Sequence, residues 1–371
     1  MMSARFLTVV LERAFNMRDG FGREIDYMRI SVIDSCNLNC YYCNPCDNNE
    51  HCHALNILSV KEVLCIVRAA TRLGIKHFRL TGGEPLLHPQ LDEMVLQIKK
   101  ISGVSSVSLT TNAVLLAQHA KWLKEAGIDS INVSLDTIDA SEYERITKKP
   151  LLEEVKHGIN AAIECGIRVK INVVLTPQTD VVALTRYVAK KGTDIRFIEM
   201  MPVGEGHTNG VEPYKKVIGT LSKLYGEPCR INTEKTKEIN SGNDKRKIPD
   251  NGPAEYYIFP ELGIRVGLIQ AIHGKFCATC NRIRVTADGR LMPCLGSSVT
   301  MDLVPDSWDF ADDVEKDFAI VRALRAAIKA KPRCHNFNDN AVTYTKTTET
   351  KTTEIEAAEV NAARNMSRIG G

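Results

Sequence analysis

Long apolar runs are missing from this chain of 371 residues; none approaches the roughly 18 residues needed to cross a bilayer. The first residues, MMSARFLTVVLERAF, hold only a short apolar stretch ahead of Glu12, a poor signal peptide and at best a weak organelle presequence. An excess of one charge is missing too. With 48 basic and 45 acidic residues interspersed, the net charge of +3 argues neither for nor against nucleic acid. There is no Walker A sequence and no G-x-G-x-x-G fingerprint. Any phosphate site must therefore be assembled from separate basic side chains.

Cysteine, by contrast, is plentiful. Six of the twelve fall into two triplets: Cys36, Cys40 and Cys43 spaced C-x3-C-x2-C, and Cys277, Cys280 and Cys294 spaced C-x2-C-x13-C. In a long chain, clustered cysteines bind metal more often than they form disulfides. Three thiolates are one fewer than a closed structural site needs, so each triplet leaves a position open for chemistry. Two alternatives stay open on the residues alone. Cys46 could close the first site as a ferredoxin-like electron carrier, and His273 could complete a Cys3His zinc site with the second triplet. Cys65 and Cys165 lie in apolar-periodic helices and read as buried, whereas Cys46, His51, Cys52 and His53 read as a solvated loop.

From Tyr27 to Glu199, β-rich apolar runs alternate with helical periods. Strands are expected at 27–33, 75–80, 104–110, 128–135, 167–175 and 194–199. A helix is expected over 59–73, opened by a Ser59/Glu62 capping box, with Gly74, Gly127 and Gly166 each closing a helix. Six strand–helix units imply parallel strands, hence an α/β fold built on a partial (β/α)6 TIM-type barrel, with a doubly wound sheet as the alternative. The polar groups, among them the first triplet, Gly82-Gly83-Glu84, Thr110, Ser134, Asp136, Lys170 and Met201, are expected at the C-terminal rim of such a barrel. Gly82-Gly83 is expected to admit close approach of a ligand, with a helix-start turn fixed by Pro85 as the alternative. Past Met201 a polar run at 231–253 reads as a loop. Short strands are expected at 255–259, 264–269 and 282–286, with a turn at Asp288-Gly289, and a helical pattern follows at 305–332. Period two puts Arg282 and Arg284 on one face. The implied division is 1–26 as an N-terminal segment, 27–212 as the barrel, 213–342 as a C-terminal α+β domain and 343–371 as a flexible tether and tail.

The first triplet with Tyr42 before its last cysteine, followed by Gly-Gly-Glu-Pro, resembles the radical S-adenosylmethionine superfamily. The runs Arg29–Ser31, Arg79–Pro85, Arg196–Glu199 and Phe276–Arg284, with the terminal Gly370-Gly371, are similar to the GTP 3′,8-cyclase family of molybdenum-cofactor biosynthesis. The resemblance covers about 27–300 and the last five residues. It implies two [4Fe–4S] clusters, one on each triplet, with S-adenosylmethionine at the first and the guanine of GTP at the second. Tyr42, Gly83, Ser134 and Met201 match the positions around S-adenosylmethionine. Arg29, Arg79, Thr110, Lys170, Arg282, Ile283 and Arg284 match those around the nucleotide. A 5′-deoxyadenosyl radical would take the ribose 3′ hydrogen, and C3′ would then attack guanine C8. Gly370 and Gly371 would insert into the active site.

Outside the chain, the resemblance implies an electron donor of unknown identity and hand-off to the cyclic pyranopterin monophosphate synthase, with no nucleic-acid or membrane partner. A homodimer is compatible with it. The location would be cytoplasmic, or the mitochondrial matrix in a eukaryote. A rival of another kind is a radical S-adenosylmethionine enzyme that modifies a peptide and carries an auxiliary cluster. A non-enzymatic electron-transfer or zinc-binding protein is the third.

Overall fold

The computed structural model describes residues 17–43, 56–203, 210–231, 252–297, 299–303, 313–335, 337, 345–348 and 351–354. The terminal Gly370-Gly371, the run Cys46, His51, Cys52 and His53, and most of the 231–253 stretch lie outside the described residues.

Six parallel strands form the centre: β1 (Tyr27–Ser31), β2 (His77–Thr81), β3 (Ser106–Thr111), β4 (Ser130–Ser134), β5 (Arg168–Leu175) and β6 (Asp194–Glu199). They pair in chain order. Between them run α1 (Val60–Arg72), α2 (Leu91–Lys99), α3 (Leu116–Glu125), α4 (Ala140–Thr147), α5 (Leu152–Glu164) and α6 (Val181–Lys190). Helix α1 starts at the expected capping box: the Glu62 amide donates to the Ser59 hydroxyl, and the Ser59 amide donates back to the Glu62 carboxylate. Its buried face, with Val63, Ile66, Val67 and Ala70, repeats at helical spacing and enters the main core. Cys65 is buried in that helix, while Cys165 is half-buried against the core. Gly74, Gly127 and Gly166 adopt positive φ, the left-handed conformation that stops a helix and turns the chain into the next strand.

The rest of the chain extends this sheet at both edges. After α7 (Gly219–Tyr225) come β7 (Cys229–Ile231), β8 (Glu255–Ile258) and β9 (Arg265–Ile269). Beyond them lie β10 (Arg282–Val285), β11 (Arg290–Met292) and β12 (Met301–Asp302), then α8 (Asp313–Lys329). Strand β9 pairs parallel with β6, and β10 pairs parallel with β1. One 12-stranded mixed sheet results, in the order β12-β11-β10-β1-β2-β3-β4-β5-β6-β9-β8-β7. The 212/213 division therefore falls within a continuous sheet. Capping both open edges of the six-stranded unit satisfies backbone groups that would otherwise be exposed. Asp288-Gly289 does turn β10 into β11, with Gly289 at φ 75°.

The stretch 343–354, expected as a flexible tether, instead contains an antiparallel pair, β13 (Thr345–Thr348) and β14 (Lys351–Glu354). Its low apolar content pointed to a tether, but its threonines are β-branched and favour extended backbone.

Candidate active site

Because side chains alternate along a strand, parallel register sorts inward-facing residues into rows. One row crosses three neighbouring strands as Arg284, Arg29 and Arg79, directly paired, and continues through Ser108, Ser130 and Arg168. The next inward row holds Thr81, Thr110, Asn132 and Lys170. These rows face a cavity of about 400 Å³. Tyr42, Gly83, Ser134, Met201, Arg282 and all six triplet cysteines line the same cavity. Ile283 alternates away: its side chain is buried in the core, so only its main chain is left for any contact with a ligand.

The two triplets sit at opposite ends of the rows. Cys36, Cys40 and Cys43 follow the C-terminal end of β1, as the barrel rule predicts. Cys280 precedes Arg282, which pairs with Tyr27 at the start of β1; Cys294 follows β11, which returns antiparallel to the same level. From Tyr27 to Ser31 the strand rise of ~3.3 Å per residue gives about 13 Å between these levels. Lys170 likewise departs from the expected rim: it is the third residue of β5 and lies inside the barrel.

The first triplet is held by main chain and by two carboxyls, the buried Glu84 and the half-buried Asp136. Gly83 donates its amide to Ile33 O at 2.7 Å, and Glu84 donates to Ser35 O at 2.8 Å. A Cβ on Gly83 would lie 2.1 Å from Ser35 O, and one on Gly82 would lie 2.5 Å from Ile33 O. Both glycines are thus required by the chain's own cysteine loop, which is the close approach that sequence reasoning assigned to a ligand. Glu84 accepts from the Thr111 hydroxyl at 2.6 Å, the Asn112 amide at 2.7 Å and the Leu86 amide at 3.0 Å. Asn112 in turn donates to Asn37 at 2.7 Å, beside Cys36. The Tyr42 hydroxyl donates to Asp136, whose other oxygen accepts from the Val174 amide at 2.8 Å. Burial raises Glu84 to about 7 and Asp136 to about 6, partly offset by these donors. Burial also raises the thiols: Cys36 to about 11 with Glu84 adding to it, and Cys40 further, with Cys43 and Asp136 adding to it.

At the second triplet the neighbours are cations. Burial works to raise Cys280, but the charges of Arg282 and Lys331 and hydrogen bonds from Arg282 outweigh it and bring it down to about 7. Arg282 also lies over the Phe276 ring at 5.1 Å. In the arginine row, burial and then the charge of Arg284 hold Arg29 well below its ordinary value. Burial and the charge of Arg282 lower Arg284 to about 10. Such crowding of like charge in a buried cavity favours a polyanion, whose charge would relieve it.

Fit to metal divides the alternatives. Among the described residues, no three or more His, Cys, Asp or Glu side chains are arranged around a single ion. A cube of four irons asks for something else, one thiolate per iron, and three free, half-buried thiols lining the cavity at each site suit it. His273 is engaged with Glu199 and does not line the cavity, which weighs against a Cys3His zinc site. Asn112 falls in the Thr110-Thr111-Asn112 group expected at the end of β3, whereas sequence reasoning missed Lys331, which carries no local signal.

Residues 30–183 match the family described as Radical SAM superfamily, and residues 193–337 match Molybdenum Cofactor Synthesis C. A protein of Clostridium perfringens (strain SM101 / Type A) named GTP 3′,8-cyclase is 35% identical over 86% of this chain and 95% of its own length. The GTP 3′,8-cyclase of Peptoclostridium acidaminophilum is 37% identical over 86% and 94%. Among solved structures, Streptococcus suis SuiB bound to S-adenosylmethionine is similar with a TM-score of 0.54 at 14% identity, covering 80% of this chain and 68% of SuiB. That likeness concerns the fold alone. No helix among the described residues is long and apolar enough to cross a membrane.

Proposed function

The chain belongs to the GTP 3′,8-cyclase family, and from that premise we propose how its cavity converts GTP to 3′,8-cyclo-7,8-dihydroguanosine 5′-triphosphate, the first step of molybdenum-cofactor biosynthesis. The observation that carries the reading is the single cavity lined by both cysteine triplets with a row of arginines between them. Cys36, Cys40 and Cys43 would hold one [4Fe–4S] cluster, and Cys277, Cys280 and Cys294 would hold a second. Bound there and reduced, the first cluster would supply the one electron that breaks the C5′–S bond of S-adenosylmethionine, leaving methionine and a 5′-deoxyadenosyl radical.

The remaining work falls to side chains. Tyr42, Gly83, Ser134 and Met201 surround S-adenosylmethionine at the rim. Arg29, Arg79 and Lys170, with Thr110, bind and neutralise the triphosphate inside the barrel, where no glycine-rich loop is available to do so. Arg282, Arg284 and the main chain of Ile283 orient the base toward the second triplet. Orientation is what the reaction demands, since the ribose C3′–H must lie in contact with the radical and C3′ within reach of C8. Gly370 and Gly371 complete the site by insertion from the tail; deleting them is expected to leave both clusters in place and abolish cyclisation.

The peptide-modifying alternative is less well supported, because a polycationic row lining the cavity suits a triphosphate better than a peptide backbone. Anaerobic incubation with GTP, S-adenosylmethionine and dithionite tests the proposal. It requires 5′-deoxyadenosine to form in step with GTP loss; 5′-deoxyadenosine without GTP loss would defeat it. An electron donor, hand-off to the cyclic pyranopterin monophosphate synthase, a homodimer and a cytoplasmic or mitochondrial-matrix location complete the reading.

A further inference from the structure

Just past the end of α8, Lys331 is 2% exposed. Its ammonium donates to Arg282 O at 2.7 Å and to Pro293 O at 2.8 Å. Arg282 stands two residues after Cys280, and Pro293 immediately precedes Cys294. One side chain therefore staples together two of the three segments that carry the second triplet. The third segment is tied to the same place: Arg23 donates to Cys277 O at 2.7 Å, Arg333 O at 3.1 Å and Pro332 O at 2.6 Å. Residues 331–333 are thus a hub to which all three cysteine segments are fastened.

The two cations of the hub differ in how their charge is met. Arg23 is ion-paired with the buried Asp19. Lys331 has no carboxylate within ion-pair distance among the described residues, and Arg282 and Arg284, which line the same cavity, are cations as well. A buried ammonium without a counter-charge is costly. Lys331 lines the same cavity as Cys280 and Cys294, whose segments it fastens, so their sulfurs are candidates for the opposite charge.

We propose that Lys331 is a positioning residue for the second cysteine site and supplies its counter-charge, setting the spacing of Cys280 and Cys294 and matching the negative charge of their metal-bound thiolates. This rests on the two-cluster reading above. Nearby positive charge raises the reduction potential of an iron–sulfur site. The first site instead has acidic neighbours: Glu84 bonds Asn112, which reaches Asn37 beside Cys36, and Asp136 bonds Tyr42 beside Cys43. The second cluster is accordingly the easier of the two to reduce.

The test uses the full-length chain reconstituted anaerobically with iron and sulfide, as wild type, Lys331→Met and Lys331→Gln. Iron per chain is measured together with an electron-paramagnetic-resonance redox titration. Wild type should hold about eight irons, two cubes of four. Lys331→Met, which removes both donors and charge, should keep the first cluster and lose the second. Lys331→Gln still has an amide to donate, so it should load both but lower the potential of the second cluster alone. Eight irons and unaltered potentials in both variants would overturn the proposal, and so would equal shifts at the two clusters. If the Met variant misfolds, seen as loss of the first cluster too, the potential of the Gln variant decides. Wild type holding only about four irons would instead defeat the two-cluster reading itself, and the proposal with it.

Discussion

Around Cys36, Cys40 and Cys43 the neighbouring ionisable groups are the carboxyls of Glu84 and Asp136, whereas around Cys277, Cys280 and Cys294 they are Arg282, Arg284 and Lys331. The first loop is fixed by main-chain contacts to a glycine pair; the second is fixed by long cationic side chains reaching carbonyls. Spacing alone makes the triplets look equivalent, yet the barrel puts them at opposite ends of its strands and gives them opposite electrostatics. On the proposed reading, one site carries out reductive cleavage and the other grips an anionic nucleotide, and the contrast in neighbouring charge fits those different needs.

The largest expected effect separates the two ends. Cys40→Ala should abolish 5′-deoxyadenosine formation, while Cys280→Ala should still form it and leave GTP unconverted. Chromatography of both products checks this, and equal loss of 5′-deoxyadenosine in the two variants would break the comparison. Next in size is Arg284→Ala. Losing a buried charge-assisted contact costs about 2–3 kcal/mol, or roughly 30- to 150-fold in KM for GTP. GTP-independent cleavage of S-adenosylmethionine should not change.

Gly83→Ala acts at the other end. Its methyl would meet Ser35 O at 2.1 Å, so the cysteine loop must move. A cost of about 1–3 kcal/mol is expected for such overpacking. Iron analysis should find the first cluster depleted and the second retained.

A pH dependence sharpens the electrostatic contrast. Glu84 is raised from 4.5 to about 7, so its contribution to stability is fully present below pH 4.5 and is lost as pH rises through about 7. Asp136, raised from 3.8 to about 6, adds a loss in the same direction. Glu84→Gln in the metal-free chain should flatten the decline between pH 4.5 and 7 in thermal melts, although loss of an acceptor lowers stability throughout by about 1–3 kcal/mol. A decline of unchanged steepness would contradict this account. The smallest effect is a control remote from both ends: Ser59→Ala removes the α1 capping box for about 1 kcal/mol and should leave iron content alone.

Much of the architecture was legible because periodicity and punctuation act locally. Strand β6 falls at 194–199 as expected, and α1 starts and stops where Ser59 and Gly74 direct it. Depth was not legible. Lys170 looks like a rim residue in a string of strand ends, and only its pairing with Asn132 and Asp194 puts it inside the barrel. The close approach at Gly82-Gly83 was read correctly as a need for no side chain, but the partner, main chain 33–35, is decided by tertiary packing. Lys331 could not be found because its partners, Arg282 O and Pro293 O, are 49 and 38 residues away.

The central claim is that the barrel holds the ribose of GTP between the two ends, with C3′ facing the radical source. Turnover of GTP deuterated at C3′ measures this directly. The account predicts one deuterium carried into 5′-deoxyadenosine, and none there, with the label kept in the nucleotide, would contradict it.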